Sequence, residues 1–372
     1  MLARLILTNE TPVFLGGYNT NYSSEFSTEG LRTQSFKGLL RYWLRAYLAK
    51  GLKDLNKVEE EICRIVGGKK DKKLYASNIV IQSKLLDEKV SNKPVNYPRI
   101  KLLTLGGRRQ PSYANLLKAE VIIKERLGSQ LTQKDRALII GSLLTGLLLS
   151  GLGKMNRRGL GTFSINMQED VTNLFKDKVN LIFKENTNHE DKKKAIVKII
   201  ELTLNYLNKD ERLTKIPEIH TIDKQYFKLL YIPINKNIGQ VITDLQNFTM
   251  RAQRVKELKR IDEITKKHLA WFLGLPRVQK KATGYIPKDE VDRRASPLFI
   301  AVHKDFALIS LFLSKDWPDE LEWRGKGKSP LQLKLDPKGA FQVGYEAFQV
   351  VYNELKSYLD KKGYKSQVIY GE

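Results

Sequence analysis

A single cysteine, Cys63, stands in this 372-residue chain, and its four histidines, His189, His220, His268 and His303, all lie in the second half. One thiol cannot build a disulfide framework or a cysteine-based zinc site. The histidines share no short motif, and histidine chemistry needs a positioned partner, so they read as structural or surface residues. Cys63, in an amphipathic helical stretch, reads as inert and buried. Long apolar runs are missing too. The closest, residues 138–149, has core-helix length and falls short of the roughly 18 residues of a membrane span. The apolar start is too short for a signal sequence. No Walker lysine motif, zinc-protease helix, calcium loop or nucleophile elbow appears, and no pair of acids stands out as metal ligands. These absences predict a cytoplasmic protein with no cofactor, no metal and no catalytic constellation.

Acid is the scarcer charge: 41 Asp and Glu face 65 Lys and Arg, a formal net charge of +24. Part of the lysine content could reflect a lysine-rich proteome, but so lopsided a sign points to a polyanionic partner, nucleic acid ahead of a membrane surface. With 41% hydrophobic residues, the chain can bury substantial cores, and its length fits two or three domains.

The most informative stretch is Gly151-Leu-Gly-Lys-Met-Asn-Arg-Arg-Gly-Leu-Gly161, between the apolar segment 138–149 and Thr162-Phe-Ser-Ile165. Helix, glycine- and arginine-rich loop, then strand is the order it predicts. Gly151, Gly153, Gly159 and Gly161 allow positive φ and close backbone approach. Free N–H groups in such a loop can form an anion nest, and Lys154, Arg157 and Arg158 add cations suited to phosphate. A tight connection with solvated charges explains the loop alone equally well. A second stretch, residues 30–48, places Phe36, Leu39, Leu40, Trp43, Leu44, Tyr47 and Leu48 on a helical period, with Ser35 or Gln34 as a cap. Lys37, Arg41 and Arg45 form an i, i+4 ladder with no acid between Glu29 and Asp54. Mixed signs would be expected of a merely solvated flank; the ladder reads as a basic face bordering a groove.

Along the chain, residues 5–7, 75–82, 100–105, 119–124 and 162–165 read as strands. Residues 53–66 and 135–150 read as helices, 67–73 as a flexible basic loop, and the segment holding Pro94 and Pro98 as an inserted loop. Gly106-Gly-Arg-Arg-Gln-Pro111 is a weaker copy of the glycine–arginine loop. The order β-α-(α)-β-β-α-β over residues 1–168 predicts a ferredoxin-like (RRM-like) domain, in which the loop after the second helix and the first helix converge on one groove. Residues 169–372 predict a second, more helical α+β domain, also ferredoxin-like with helical insertions. Its helices are read at 171–183, 192–208, 241–272 and 341–359, and its strands at 226–234, 298–303 and 307–313. Tyr18, Tyr22, Phe26 and Tyr285 are candidates for stacking on bases; Trp43 and Trp271 read as core.

The helix entry Leu31-Arg-Thr-Gln-Ser-Phe-Lys-Gly-Leu-Leu-Arg41 and the loop 151–161 resemble the RAMP superfamily of CRISPR-associated proteins. Thr11-Pro12, Gly16-Gly17, Arg32, Ser35-Phe36-Lys37-Gly38 and Arg293-Arg-Ala-Ser-Pro-Leu-Phe299 are similar to the family of the first subunit of the Cmr (type III-B) RNA-targeting effector. Lys154 and Met155 depart from the pattern, standing where many RAMP proteins carry more arginine. The resemblance implies two ferredoxin-like domains and a non-catalytic RNA-binding subunit with guide RNA, target RNA and other Cmr RAMP subunits as partners. It implies RNA contacts from Arg32, Ser35, Lys37, Arg41, Arg45, Gly151, Gly153, Lys154, Arg157, Arg158, Gly159, Gly161, Arg293 and Arg294. The alternative is a RAMP-type precursor-RNA processing endoribonuclease. Acid–base RNA cleavage calls for His, Tyr or Lys near the 2′-hydroxyl, and the lack of any histidine before His189 disfavours its histidine version.

Overall fold

The computed structural model describes residues 1–15, 31–52, 54–100, 103, 110–207, 213–274, 284–287, 295–318, 320–324, 333–334 and 339–371. The chain opens with strand β1 (Ala3–Asn9) and helix α1 (Thr33–Leu52). Every apolar position of the helical period in α1, from Phe36 to Leu48, is buried. Ser35 lies inside its first turn, its N–H donating to Arg32 O at 3.0 Å, rather than capping it. Helix α2 (Leu55–Val66) starts where Asp54 accepts from the N–H of Asn56. A small hairpin follows, β2 (Gly68–Lys70) and β3 (Lys73–Tyr75), then the long strands β4 (Ile79–Ser91) and β5 (Tyr113–Glu125). Helix α3 (Gln133–Leu149) begins at a reciprocal capping box between Thr132 and Asp135. After its polar first turn, residues 137–149 are buried on every side, as in a helix with core all round. Strand β6 (Phe163–Asp170) completes a four-stranded sheet ordered β4-β5-β1-β6, every neighbour antiparallel.

Helices α4 (Lys176–Phe183) and α5 (His189–Asn205) pack back on β6 and α3. Next come β7 (Phe227–Pro233), α6 (Ile238–Phe248), α7 (Arg251–Leu258), α8 (Glu263–Lys266), β8 (Gly284–Pro287), β9 (Leu298–Val302) and β10 (Phe306–Phe312). The last elements are β11 (Glu320–Arg324), β12 (Leu333–Lys334), α9 (Gly339–Lys361) and β13 (Gln367–Tyr370). A second antiparallel sheet is ordered β13-β7-β10-β9. The connectivity β7-α6-β9-β10-α9-β13 therefore repeats β1-α1-β4-β5-α3-β6, with the same strand order. A minor sheet, β12-β11-β8, stands apart.

The second sheet is buried on both faces, so its strands read as unbroken apolar runs. Phe227, Leu229 and Tyr231 join the core formed by α1, α3 and α5, whereas Leu230 and Ile232 face the core under α6 and α9. Phe299 packs against Tyr42 and Trp43, each at 5.6 Å between ring centres, and Phe312 lies 5.9 Å from Trp43. One sheet thus lies on the other unit's helices.

Several expectations change. Residues 67–73 form the β2–β3 hairpin, not a loose loop, and the strand expected at 75–82 begins at Ile79 and runs to Ser91. Of the strand expected at 100–105, the described Ile100 and Leu103 form a turn, Leu103 N donating to Ile100 O at 2.8 Å. The helix expected from 171 starts only at Lys176, because the Asp170 carboxylate takes the N–H groups of Thr172, Phe175 and Lys176 and holds a turn there. The helix expected over 241–272 is broken into α6, α7, α8 and a 3₁₀ turn. Lys259 and His268 adopt left-handed backbone (φ 54° and 56°), and Asp262 caps α8 through the N–H of Thr265. Asp262 also pairs with the buried Arg254 at 2.9 Å, whose Nη1 donates to Phe248 O at 2.9 Å, tying α8 back to the end of α6. Replacing Asp262 by Ala leaves that guanidinium buried without its carboxylate, a loss of about 3–5 kcal/mol. Urea unfolding should show the midpoint falling with the slope unchanged.

Candidate nucleic-acid interface

The glycine-rich loop connects α3 to β6, and its backbone is engaged on two sides. Toward the first sheet, Lys154 N donates to Phe14 O at 2.7 Å and Gly161 N to Pro12 O at 3.0 Å. Toward the second, Gly159 N donates to Ile300 O at 2.9 Å, and Ile300 N returns a bond to Arg157 O at 3.2 Å. Leu152 N closes the loop on Gly161 O at 2.8 Å, and the Asn156 amide donates to Gly151 O at 3.0 Å. The N–H groups read from sequence as an anion nest are thus largely taken by the chain's own carbonyls. Thr162 continues the seam: its hydroxyl donates to Val302 O at 2.5 Å and lies 2.9 Å from that of Thr11. Buried His303 completes it, with Nδ1 2.6 Å from a Glu10 carboxylate oxygen and Nε2 2.9 Å from Leu148 O.

Arg157 and Arg158 sit at this junction in different ways. Arg158 donates to Leu298 O at 3.1 Å and Leu273 O at 3.5 Å, while the Gln246 amide donates to its own carbonyl at 2.8 Å. Burial, and after it the charges of Arg99 and Arg157, pushes the Arg158 pKa down to about 9. Arg157 lies over the ring faces of Phe299 and Tyr42, at 4.4 and 4.9 Å, and its buried Nη1 has no hydrogen-bond partner. Arg99, which sequence reasoning passed over as part of a proline-flanked loop, is the third member. It donates to the Thr249 hydroxyl at 2.8 Å and carbonyl at 3.0 Å, and burial pushes its pKa down to about 10. No carboxylate pairs with any of the three among the described residues. Three neighbouring cations in partial burial are held by carbonyls, hydroxyls and ring faces alone, an arrangement in which an added anion gains what the missing counter-charge would supply.

The Lys37–Arg41–Arg45 ladder turns elsewhere. Arg45 grips Glu59 of α2 with two bonds of 2.6 and 3.0 Å, and Arg41 donates to Gly67 O at the end of α2. Lys37 has no ion-pair partner among the described residues. The loop meets α1 through Tyr42, about 100° round the helix from Arg41, so ladder and loop are not joined into one groove by these side chains. Arg32 is half-buried before α1. Arg293 and Arg294, with Tyr18, Tyr22, Phe26 and the 106–109 glycine–arginine turn, lie outside the described residues. Tyr285 is only 3% exposed, which removes it as a stacking platform. Cys63 is free and buried. Among the described residues no group of three potential metal ligands occurs, and no helix is long and apolar enough to cross a membrane. The loop's tight geometry generates a paired test. Gly161 has φ 69°, and a Cβ there would stand 2.0 Å from Leu152 O, whereas a Cβ on Gly38 meets nothing within 4 Å. Gly161→Ala should lower the melting point sharply, the left-handed backbone alone costing about 1–2 kcal/mol. Gly38→Ala in α1 should stabilise by about 0.5–1 kcal/mol.

Residues 6–164 match the family model described as the RAMP superfamily. No curated protein matches the sequence closely enough to count as a relative. In structure the chain is similar to apo Cmr1 from Pyrococcus furiosus, with 18% identity, a TM-score of 0.56 and coverage of 100% of this chain and 99% of that one. It is similar to a chain of the type III-B Cmr-beta complex bound to cognate target RNA and AMPPnP, at 14% identity and a TM-score of 0.61, covering 96% and 99%. A chain of Cmr-beta bound to cognate target RNA matches at 13% identity and a TM-score of 0.54, covering 94% and 99%. These matches establish a common fold along the chain, and within it residues 6–164 are similar to the RAMP superfamily.

Proposed function

We propose that this chain is a non-catalytic RNA-binding subunit of a type III-B CRISPR Cmr effector complex, built from two ferredoxin-like units at 1–168 and 169–372. It contacts the backbone of guide or target RNA in antiviral defence, in the cytoplasm, beside other Cmr RAMP subunits. The observation that carries this reading is the Arg99–Arg157–Arg158 cluster, which has no carboxylate among its partners at the seam between the two sheets. Phosphodiesters are the ligand whose charge and oxygen acceptors fit partly buried guanidinium groups that lack a counter-charge. The net charge of +24 supplies the long-range attraction. Support also comes from structural neighbours whose descriptions name type III-B complexes bound to target RNA.

One observation favours cleavage instead: the Tyr42 hydroxyl hydrogen-bonds His220 Nδ1 beside Arg157, and such a trio could move protons at a 2′-hydroxyl. His220, however, is only 9% exposed and lies flat on Phe312, 4.8 Å between ring centres at 14°, which is packing geometry. We therefore expect labelled precursor RNA to stay intact on incubation with the protein in chelator. Specific cleavage that Tyr42→Phe abolishes would establish the nuclease.

Binding is tested at Lys37 and Arg157, because neither makes an ion pair or side-chain hydrogen bond among the described residues. The Lys37→Gln/Arg157→Gln double variant should melt near the parent and bind single-stranded RNA more weakly. Each lost phosphate contact flattens the salt dependence, so the log–log slope should fall by about 1.4. An unchanged slope in a folded variant would refute these contacts.

A further inference from the structure

The run Gly67-Gly-Lys-Lys-Asp-Lys-Lys73 takes no part in the arginine cluster, yet it is ordered. Its register sets Gly68 opposite Tyr75, Lys69 opposite Leu74 and Lys70 opposite Lys73. Asp71 makes the turn with left-handed backbone, φ 51°. Two lysines directly across a hairpin repel, at about 0.2–1 kcal/mol against its formation, and strands of three residues have little else to offset that. What holds the hairpin in place is its contact with α1 and α2. Lys70 donates to Asn56 O at 2.9 Å and approaches Glu60 at 3.6 Å, and Arg41 of α1 lies against Gly67 and Gly68.

The other lysines are different. Lys69, Lys72 and Lys73 are exposed. Lys69 and Lys72 have no partner among the described residues, and Lys73 rests 4.9 Å above the ring of Tyr75. Leu74 beside them is 77% exposed, a single apolar side chain and too small a patch to anchor a protein interface. The register sets Lys69 and Leu74 on one face and Lys70, Lys73 and Tyr75 on the other. The exposed cations therefore surround the hairpin's tip, with Lys73 over the aromatic ring, an arrangement that matches a chain with regularly spaced negative charges and flat bases.

We infer that the β2–β3 hairpin is a second polyanion-binding surface that takes the backbone of single-stranded RNA, at a place separate from the glycine-rich loop. The inference rests on the reading of the chain as an RNA-binding protein. It assigns Lys69, Lys72 and Lys73 to phosphates and Tyr75 to a base, with Lys70 and Arg41 as the struts that hold the hairpin out.

The test uses the full chain and a fluorescein-labelled oligouridylate, titrated over a range of salt. The Lys69→Gln/Lys72→Gln/Lys73→Gln variant changes exposed positions and should fold as the parent does. Its affinity should fall about tenfold at moderate salt and its log–log slope by about 2, one phosphate contact being worth about 0.7. The corresponding triple Lys→Arg variant should retain both affinity and slope. If the glutamine variant binds as the parent does while Lys37→Gln/Arg157→Gln is impaired, the hairpin assignment is wrong and the RNA reading stands. If the parent fails to bind the oligonucleotide, the RNA reading falls and takes this one with it. If the glutamine variant keeps its RNA affinity but loses a copurifying partner subunit, the surface belongs to a protein and the assignment to RNA is overturned.

Discussion

The two sheets are held in one arrangement by backbone hydrogen bonds that the 152–161 segment makes in both directions. Pro12 and Phe14 accept from one side of it, and Ile300 both accepts and donates on the other. Because these are main-chain bonds, they fix the loop's path irrespective of its side chains and leave narrow tolerances. Gly161 can take its positive φ and its approach to Leu152 O only without a Cβ. The apolar face of the second sheet then lies against α1 and α3, and Phe299 and Phe312 enter the same core as Trp43. The His303–Glu10 contact and the Thr11–Thr162 hydroxyl pair sit along the same line. They hydrogen-bond polar groups that this docking removes from water.

The formal charge overstates what is available to a partner. Many cations hold the fold: Arg45 on Glu59, Arg64 on Glu61 and Asp135, Arg254 on Asp262, Arg260 on Glu354. The excess over these pairs is what an external anion meets, and it is not evenly spread. Among the described residues, two groups of neighbouring cations without a carboxylate partner are Arg99, Arg157 and Arg158 at the seam and Lys69, Lys72 and Lys73 on the hairpin. A polyanion reaching both would be drawn by cations differing in kind. The arginines are partly desolvated and give strong, geometrically fixed bonds, whereas the lysines are solvated and contribute a salt-sensitive attraction.

Much of the architecture was legible because it depends on local pattern. The helical period of α1 and the unbroken apolar character of α3 survive any tertiary context, and both helices appear where the sequence puts them. The β-α-β-β-α-β order of the first half could be read for the same reason. What misled was capping chemistry over long range. Periodicity continues through residues 241–272, but Asp262 meets Arg254 across eight positions and breaks the helix there. Asp170 likewise captures N–H groups that a helix from 171 would have used. The ladder on α1 was identified as basic, but its acid partner comes from the next helix, Glu59, which spacing within one helix cannot reveal. Arg99 carried no signal at all, since a lone arginine just after Pro98 looks like any loop residue.

The glycine-rich loop shows how one motif can contain opposite roles at adjacent positions. Read as sequence, Arg157 and Arg158 are interchangeable cations beside flexible glycines. In the fold, Arg158 is a strut whose donors are directed at two carbonyls of the second unit, so removing it would open the junction before it altered any ligand contact. Among the described residues Arg157 is held by the faces of Tyr42 and Phe299, an attraction of about 0.5–2 kcal/mol that uses none of its N–H groups. The ring faces fix the guanidinium plane without using its N–H groups, and the buried Nη1 stays without a partner among the described residues. The glycines matter to the position of Arg157 indirectly. They let the backbone pass between two sheets closely enough to set Arg157 over Phe299, so the place of this guanidinium depends on docking of the two sheets rather than on a preformed nest of N–H groups.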